Sequence, residues 1–246
     1  MPATRRRLHQ STAVRRAILS HDFWARQAGG AVVEVNGAQY DYRAERNAGT
    51  RTIVIRGGRR AGRPECFLLF LEPDKSAELH GLEQGADCAL SGDGSGRKMV
   101  AAAVKIARAR GATRFVLTDL ARKKTDSGKK FPLSNMYFLT TGQAWYESFL
   151  PGLVPTSKAD KIPVWRERVR TNTWTSVLQG LRAQGVVVDD AASGGADVDV
   201  DAPGSAMTVL RRMKEAGTDF FADYDDEILI ASGVGALHGV DWEMPL

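Results

Sequence analysis

The chain has 246 residues, 43% of them hydrophobic, which is enough for one large domain or two small ones around a sizeable core. Its two cysteines, Cys66 and Cys88, exclude a disulfide framework and suit a reducing, intracellular compartment, and no apolar run approaches the ~20 residues of a membrane span. The formal net charge of +5 conceals a split: residues 1–185 hold 31 Lys/Arg against 16 Asp/Glu, whereas residues 186–246 hold 3 against 13. The acidic end is therefore expected to fold back on the basic body or to stand as a solvated segment.

Residues 1–28 are predicted to be helical, with Leu8, Val14, Ala17, Ile18 and Phe23 on a ragged apolar stripe. Arg5, Arg6, Arg7, Arg15 and Arg16 lie mostly off that stripe, as a solvated face or as a face for nucleic acid, anionic lipid or an acidic protein. The segment lacks the apolar region of a secretory signal. Short strands follow. AVVEVN and QYDYRA alternate around Asn36-Gly37, a strong hairpin signal. RTIVIRG comes next, then the turn GGRRAGRP, then ECFLLFLEP, whose unbroken apolar run suits a central strand covered on both faces. SAELHGL completes an antiparallel meander.

The pattern changes at Gly92-x-Gly94-x-Gly96. A helix is predicted over 97–110, burying Met99, Val100, Ala103, Val104, Ile106 and Ala107 and stopping at Gly111. A glycine turn opening a helix offers backbone N–H groups at the positive end of the helix dipole, where phosphate binds; it also serves as a plain tight turn. RFVLTD is a strand ending in Asp119, and ARKKTDSGKK is read as a basic loop. Residues 132–149 suggest a helix with Leu133, Met136, Tyr137 and Leu139 on its apolar side. Trp145 lies about 180° from Met136, so a break near Thr141–Gly142 is expected, with Trp145 in the core. Residues 163–183 read as one helix after the connector VPTSKADKIP. An acidic, Gly-rich linker precedes a helix over 205–216, and Trp242 in the last segment is expected to be buried.

The order of meander, glycine turn, helix, strand and tyrosine-bearing helix resembles the GCN5-related N-acetyltransferase (GNAT) family. In that family the pyrophosphate of acetyl-CoA lies on an R/Q-x-x-G-x-G/A turn. Gly94-Ser95-Gly96 followed by Met99 matches its later part, while Ser91 stands where the family carries Gln or Arg. The resemblance implies an α+β fold with a mostly antiparallel sheet, acetyl-CoA as cofactor, and Gly92, Gly94, Ser95, Gly96 and Arg97 as its binding residues. It implies Tyr137 or Tyr146 as general acid to the leaving thiolate, where packed core tyrosines are the alternative. Glu83 and Asp87, with His80 nearby, are candidate bases for an amine substrate; they also fit a solvated loop. Asp119 closes a buried strand at the edge where α/β sites open, or caps the next segment.

AELHGLEQGADCAL, GSGRKM, RFVLTDLA and LTTGQAWYE are also similar to proteins of unassigned function from large (giant) DNA viruses of algae and amoebae, over about residues 76–150. That likeness implies an acetyltransferase-like core in a virion or host cytoplasm. The expected organisation is a basic helical segment over 1–30, an acetyltransferase-like core over 31–155 and a helical, acid-ended region over 156–246. Three functions stay open: an acyl-CoA-dependent N-acetyltransferase, a catalytically silent virion or scaffold relative acting through a partner protein, and a nucleic-acid-associated protein using the basic N-terminus and the cations of 105–130. No histidine or cysteine spacing suggests a metal site.

Overall fold

The computed structural model describes residues 29–35, 38–46, 53–57, 67–82, 94–188 and 198–246. The expectations for the N-terminal helix, the turn at 58–66 and the linker at 189–197 lie outside these residues, as do Cys66, Cys88, Glu83, Asp87, Ser91 and Gly92. The described chain is α+β, with a mostly antiparallel sheet and six α-helices. It divides into two compact units, one running to Val116 and including Pro245–Leu246, the other spanning Leu117–Met244.

The first unit is built on a five-stranded antiparallel meander: β1 (Gly29–Val35), β2 (Ala38–Arg46), β3 (Ile53–Gly57), β4 (Phe67–Leu71) and β5 (Ser76–Leu82). Val35 pairs with Ala38, so β1 and β2 are joined by two residues, as the Asn36-Gly37 signal requires. β4 departs from the double coverage its apolar run suggests. Phe67, Leu69 and Leu71 are buried, while Leu68 and Phe70 are only partly so. One face of β4 carries the core, and on the other the Phe70 ring meets the His80 ring edge-on at 4.3 Å.

Helix α1 (Ser95–Ala109) packs on β1, β4 and β5 through the residues the periodicity singles out. Met99, Val100, Ala103, Val104, Ile106 and Ala107 are all buried. Each large side chain here stabilises the unit by roughly 1.5–3 kcal/mol, and the alanines let the helix lie close to the sheet. Gly111, at φ +76°, ends it in the left-handed conformation that glycine adopts without a Cβ clash. β6 (Arg114–Thr118) follows, with Phe115 and Leu117 fully buried.

In the second unit the expected basic loop is a hairpin. β7 (Arg122–Lys124) pairs antiparallel with β8 (Lys130–Pro132). The turn closes through Thr125 N–H to the Lys129 carbonyl at 2.8 Å and Gly128 N–H to the Thr125 carbonyl at 3.0 Å. Phe131, buried in the core, anchors the ribbon. Helix α2 (Leu133–Thr141) ends at Gly142, φ +74°, and Tyr146–Ser148 form a 3₁₀ turn, so the expected break is present and Trp145 is buried. The helix expected over 163–183 is two helices, α3 (Lys161–Thr171) and α4 (Trp174–Ala183). Asn172 turns the backbone extended, its amide donating to the Ser232 carbonyl at 2.8 Å, and the Thr173 hydroxyl caps α4 by accepting the Ser176 N–H at 3.2 Å. Thr173→Ala is expected to lower unfolding free energy by ~1 kcal/mol in urea denaturation.

Helices α5 (Ser205–Ala216) and α6 (Asp219–Ala231) follow, the latter formed by the acidic stretch and kinked at Tyr224. Its apolar residues Phe221, Ile228 and Leu229 face the core. β9 (Val154–Pro155) pairs with β10 (Asp241–Pro245), and Trp242 is fully buried there, as its place near the end of the chain suggested. The acidic end does dock on basic chain: Asp223 pairs with Lys129, and Asp219 accepts from Ser127.

Candidate functional site

Of the glycine turn, Gly94–Gly96 lie among the described residues. Gly94 is left-handed, at φ +69°, and is the residue from which α1 departs. No side chain caps this end, and the first turn carries no acidic residue. The first bond reaching back is Lys98 N–H to the Gly94 carbonyl at 3.1 Å; N–H groups ahead of it have no partner within the helix. Ser95 and Gly96 are buried, and Arg97 is exposed beside them. Among the described residues, no atom lies within 4 Å of a Cβ built on Gly94. Helix dipole and bare N–H groups together make the turn attractive to anions.

The two candidate acids sit in different surroundings. Tyr146 is buried, with its ring 4.7 Å from that of Trp145 and 6.0 Å from that of Phe149. Burial, reinforced by the nearby Asp119 charge, holds its hydroxyl protonated far above the ordinary range. Tyr137 is half-buried, and the Lys214 ammonium lies 4.9 Å from its ring centre, within cation–π reach. Tyr146 is thus a packed side chain, and Tyr137 belongs to a basic surface.

A polar cluster in the second unit has only one member, Asp119, that stands out in the sequence. Asp119 is fully buried, and Ser134 donates to its Oδ2. Its main chain is held on both sides, by Asp119 N–H to the Val240 carbonyl at 2.8 Å and Gly239 N–H to its own carbonyl at 2.7 Å. Asn135, next to Ser134 at the start of α2, donates to Asp225 at 2.7 Å and accepts from the N–H groups of Leu237 at 2.8 Å and His238 at 3.3 Å. Arg122 approaches His238 Nε2 at 3.5 Å. Asp119 Oδ1, Asp225 Oδ1 and His238 Nδ1 are buried with no hydrogen-bond partner.

Burial pushes the Asp119 carboxyl up to about 7, against the opposing bonds from Ser134 and the Ala121 N–H. Burial likewise raises Asp225 to about 6, with the Asn135 bond opposing it and the charges of Asp226 and Glu227 adding to it. His238 is lowered by burial and by Arg122 and Lys158. The group ties the end of β6, the start of α2 and the 237–240 segment together. Being closed to solvent, Asp119 acts on the stability of that junction. Asp225 and His238 were silent in the sequence because they reach Asn135 from 90 and 103 residues away.

The Gly-x-x-Trp-Tyr-Glu signature has a structural explanation. Glu147 accepts the Ala144 N–H at 2.8 Å, and Arg166 Nη2 reaches both carboxylate oxygens at 2.8 and 2.9 Å. Arg166 Nε donates to the Gly142 carbonyl at 2.8 Å. The motif is therefore a lock between the end of α2 and α3. Among the described residues there is no group of three or more His, Cys, Asp or Glu able to hold a metal ion, and no helix long and apolar enough to cross a membrane. No protein-family model matches the sequence, and no curated protein and no solved structure is significantly similar to it.

Proposed function

We propose that the chain is an acyl-CoA-dependent N-acetyltransferase-like protein whose glycine turn receives the pyrophosphate of acetyl-CoA. The observation that carries this reading is the left-handed Gly94, without a side-chain cap, opening α1, the helix that packs on the antiparallel meander. Backbone N–H groups at the helix start would hold the phosphates, and the exposed Arg97 would add a charge-assisted contact. The transferred acyl group would pass to an amine, which must lose a proton to a base before or during attack on the thioester. Glu83 and Asp87 remain the sequence candidates for that base. A second reading, a catalytically silent relative serving as a virion or scaffold protein, is favoured by the burial of Tyr146 in a cluster with Trp145 and Phe149.

Calorimetric titration of acetyl-CoA into the full chain and into Gly94→Ala tests the binding claim. The unmodified chain is expected to give saturable heat. The variant is expected to lose at least tenfold in affinity, because its methyl group stands on the left-handed residue at which the pyrophosphate would approach the backbone. A left-handed alanine costs ~1–2 kcal/mol, so the thermal midpoint of the variant is measured alongside. Equal affinity in the two proteins would remove the turn from the site.

A further inference from the structure

The β7–β8 ribbon carries a charge arrangement that its own fold does not balance. Lys124 stands directly opposite Lys130, and Arg122 lies two residues from Lys124 on the same face of the ribbon. Like charges directly opposite across an antiparallel pair destabilise it. Burial lowers the Lys214 ammonium of α5, opposed by Glu215 and reinforced by the charges of Arg211 and of Lys123, which lies on the other face of the ribbon. Two of the neighbouring acids are already engaged: Asp223 holds Lys129, and Asp219 holds Ser127. Among the described residues no carboxylate pairs with Lys123, Lys124 or Lys130, and all three are exposed. Arg211 spends two N–H groups on the Thr140 carbonyl, at 3.2 and 3.1 Å, and on the same helix Lys214 lies over the half-buried ring of Tyr137.

We infer that this ribbon, with Arg211, Lys214 and Tyr137 beside it, is a binding surface for the phosphodiester backbone of a nucleic acid. An extended polyanion fits better than a single phosphate. Arg122, Lys124 and Lys130 lie on the face of the ribbon away from the buried Phe131, further cations lie on a neighbouring helix, and Arg122 and Lys124 are separated by two strand residues, ~6.6 Å. Such a surface contacts backbone and reads no sequence. Tyr137 lies beside these cations, with the Lys214 ammonium 4.9 Å from its ring centre. The surface lies in the second unit and does not depend on the acyl-CoA reading.

The test is fluorescence anisotropy of a labelled single-stranded oligonucleotide and its duplex against the full chain over a range of salt. The unmodified chain is compared with Lys123→Gln/Lys124→Gln/Lys130→Gln and with Lys161→Gln as a control on α3. The triple variant is expected to bind at least tenfold more weakly, with the slope of log affinity against log salt smaller by ~2, from ~0.7 per lost contact to a single strand. The control is expected to be unchanged. Lys124→Glu alone is expected to raise the thermal midpoint, by placing a carboxylate opposite Lys130, while weakening oligonucleotide binding; this separates lost binding from lost folding. Equal affinity and slope in the triple variant would overturn the inference. So would binding to phosphatidylserine vesicles with none to oligonucleotide.

Discussion

Asp119→Asn is expected to flatten the loss of stability that the native chain shows as pH rises from about 5 to 7. The sign follows from where the proton sits. In the folded chain Asp119 titrates at about 7, against an ordinary value of 3.8, so between those values the folded state holds a proton that the unfolded state has released. Stability from this group is fully present below the unfolded value and is lost as pH climbs through the folded one. The whole shift corresponds to a loss on the order of 4 kcal/mol. Asp225, raised to about 6, works in the same direction over a narrower window. His238 opposes both near its ordinary 6.5, because its lowered folded value makes protonation unfold the chain. Asn at position 119 still accepts the Ser134 hydroxyl but carries no titrating proton. Urea denaturation at a series of pH values is expected to show the slope between pH 5 and 7 reduced by more than half. An unchanged slope would mean that Asp119 titrates normally.

Glu147→Ala is expected to cost ~2–3 kcal/mol, because it strands a cation that is mostly enclosed. Side-chain exposure is 27% for Arg166 and 16% for Glu147, so the pair is far drier than a surface ion pair. Removing the carboxylate leaves the Arg166 guanidinium with only the Gly142 carbonyl, and leaves the Ala144 N–H without its acceptor. Arg166→Lys is expected to cost less, ~1–2 kcal/mol, since an ammonium keeps the charge but loses the forked geometry and the Gly142 bond. A double-mutant cycle of Glu147→Ala with Arg166→Ala is expected to give a coupling above ~1 kcal/mol. A coupling near zero would reduce the Trp-Tyr-Glu signature to independent packing of its aromatic rings.

Much of the fold was legible because its signals are local. The Asn36-Gly37 turn, the apolar spacing from Met99 to Ala107 and the glycine stop at 111 each act within one or two turns of chain. The break at Gly142 was legible for the same reason: Met136 and Trp145 cannot share a face of one straight helix, and both are buried. The β7–β8 hairpin was missed because its sequence is polar, with Phe131 as its single apolar anchor, and its turn bonds involve Thr125 and Lys129 rather than a strong turn pair. The break between α3 and α4 was missed because Asn172 and Thr173 fit a helix by pattern, and only their bonds to Ser232 and Ser176 take them out of it. The polar cluster was legible only at Asp119. Asp225 and His238 join it through Asn135, whose three partners lie on segments about a hundred residues further along. Of the glycine turn, the structure adds the left-handed Gly94 at the start of α1.

Acyl-CoA recognition at the start of α1 is tested most directly by amide hydrogen exchange of the full chain with and without millimolar acetyl-CoA. Slower exchange is expected at Ser95, Gly96 and Arg97, whose N–H groups precede the first bond back to Gly94, with little change along the rest of α1. Unaltered exchange at these three amides would contradict phosphate binding on the turn and, with it, the acyltransferase reading.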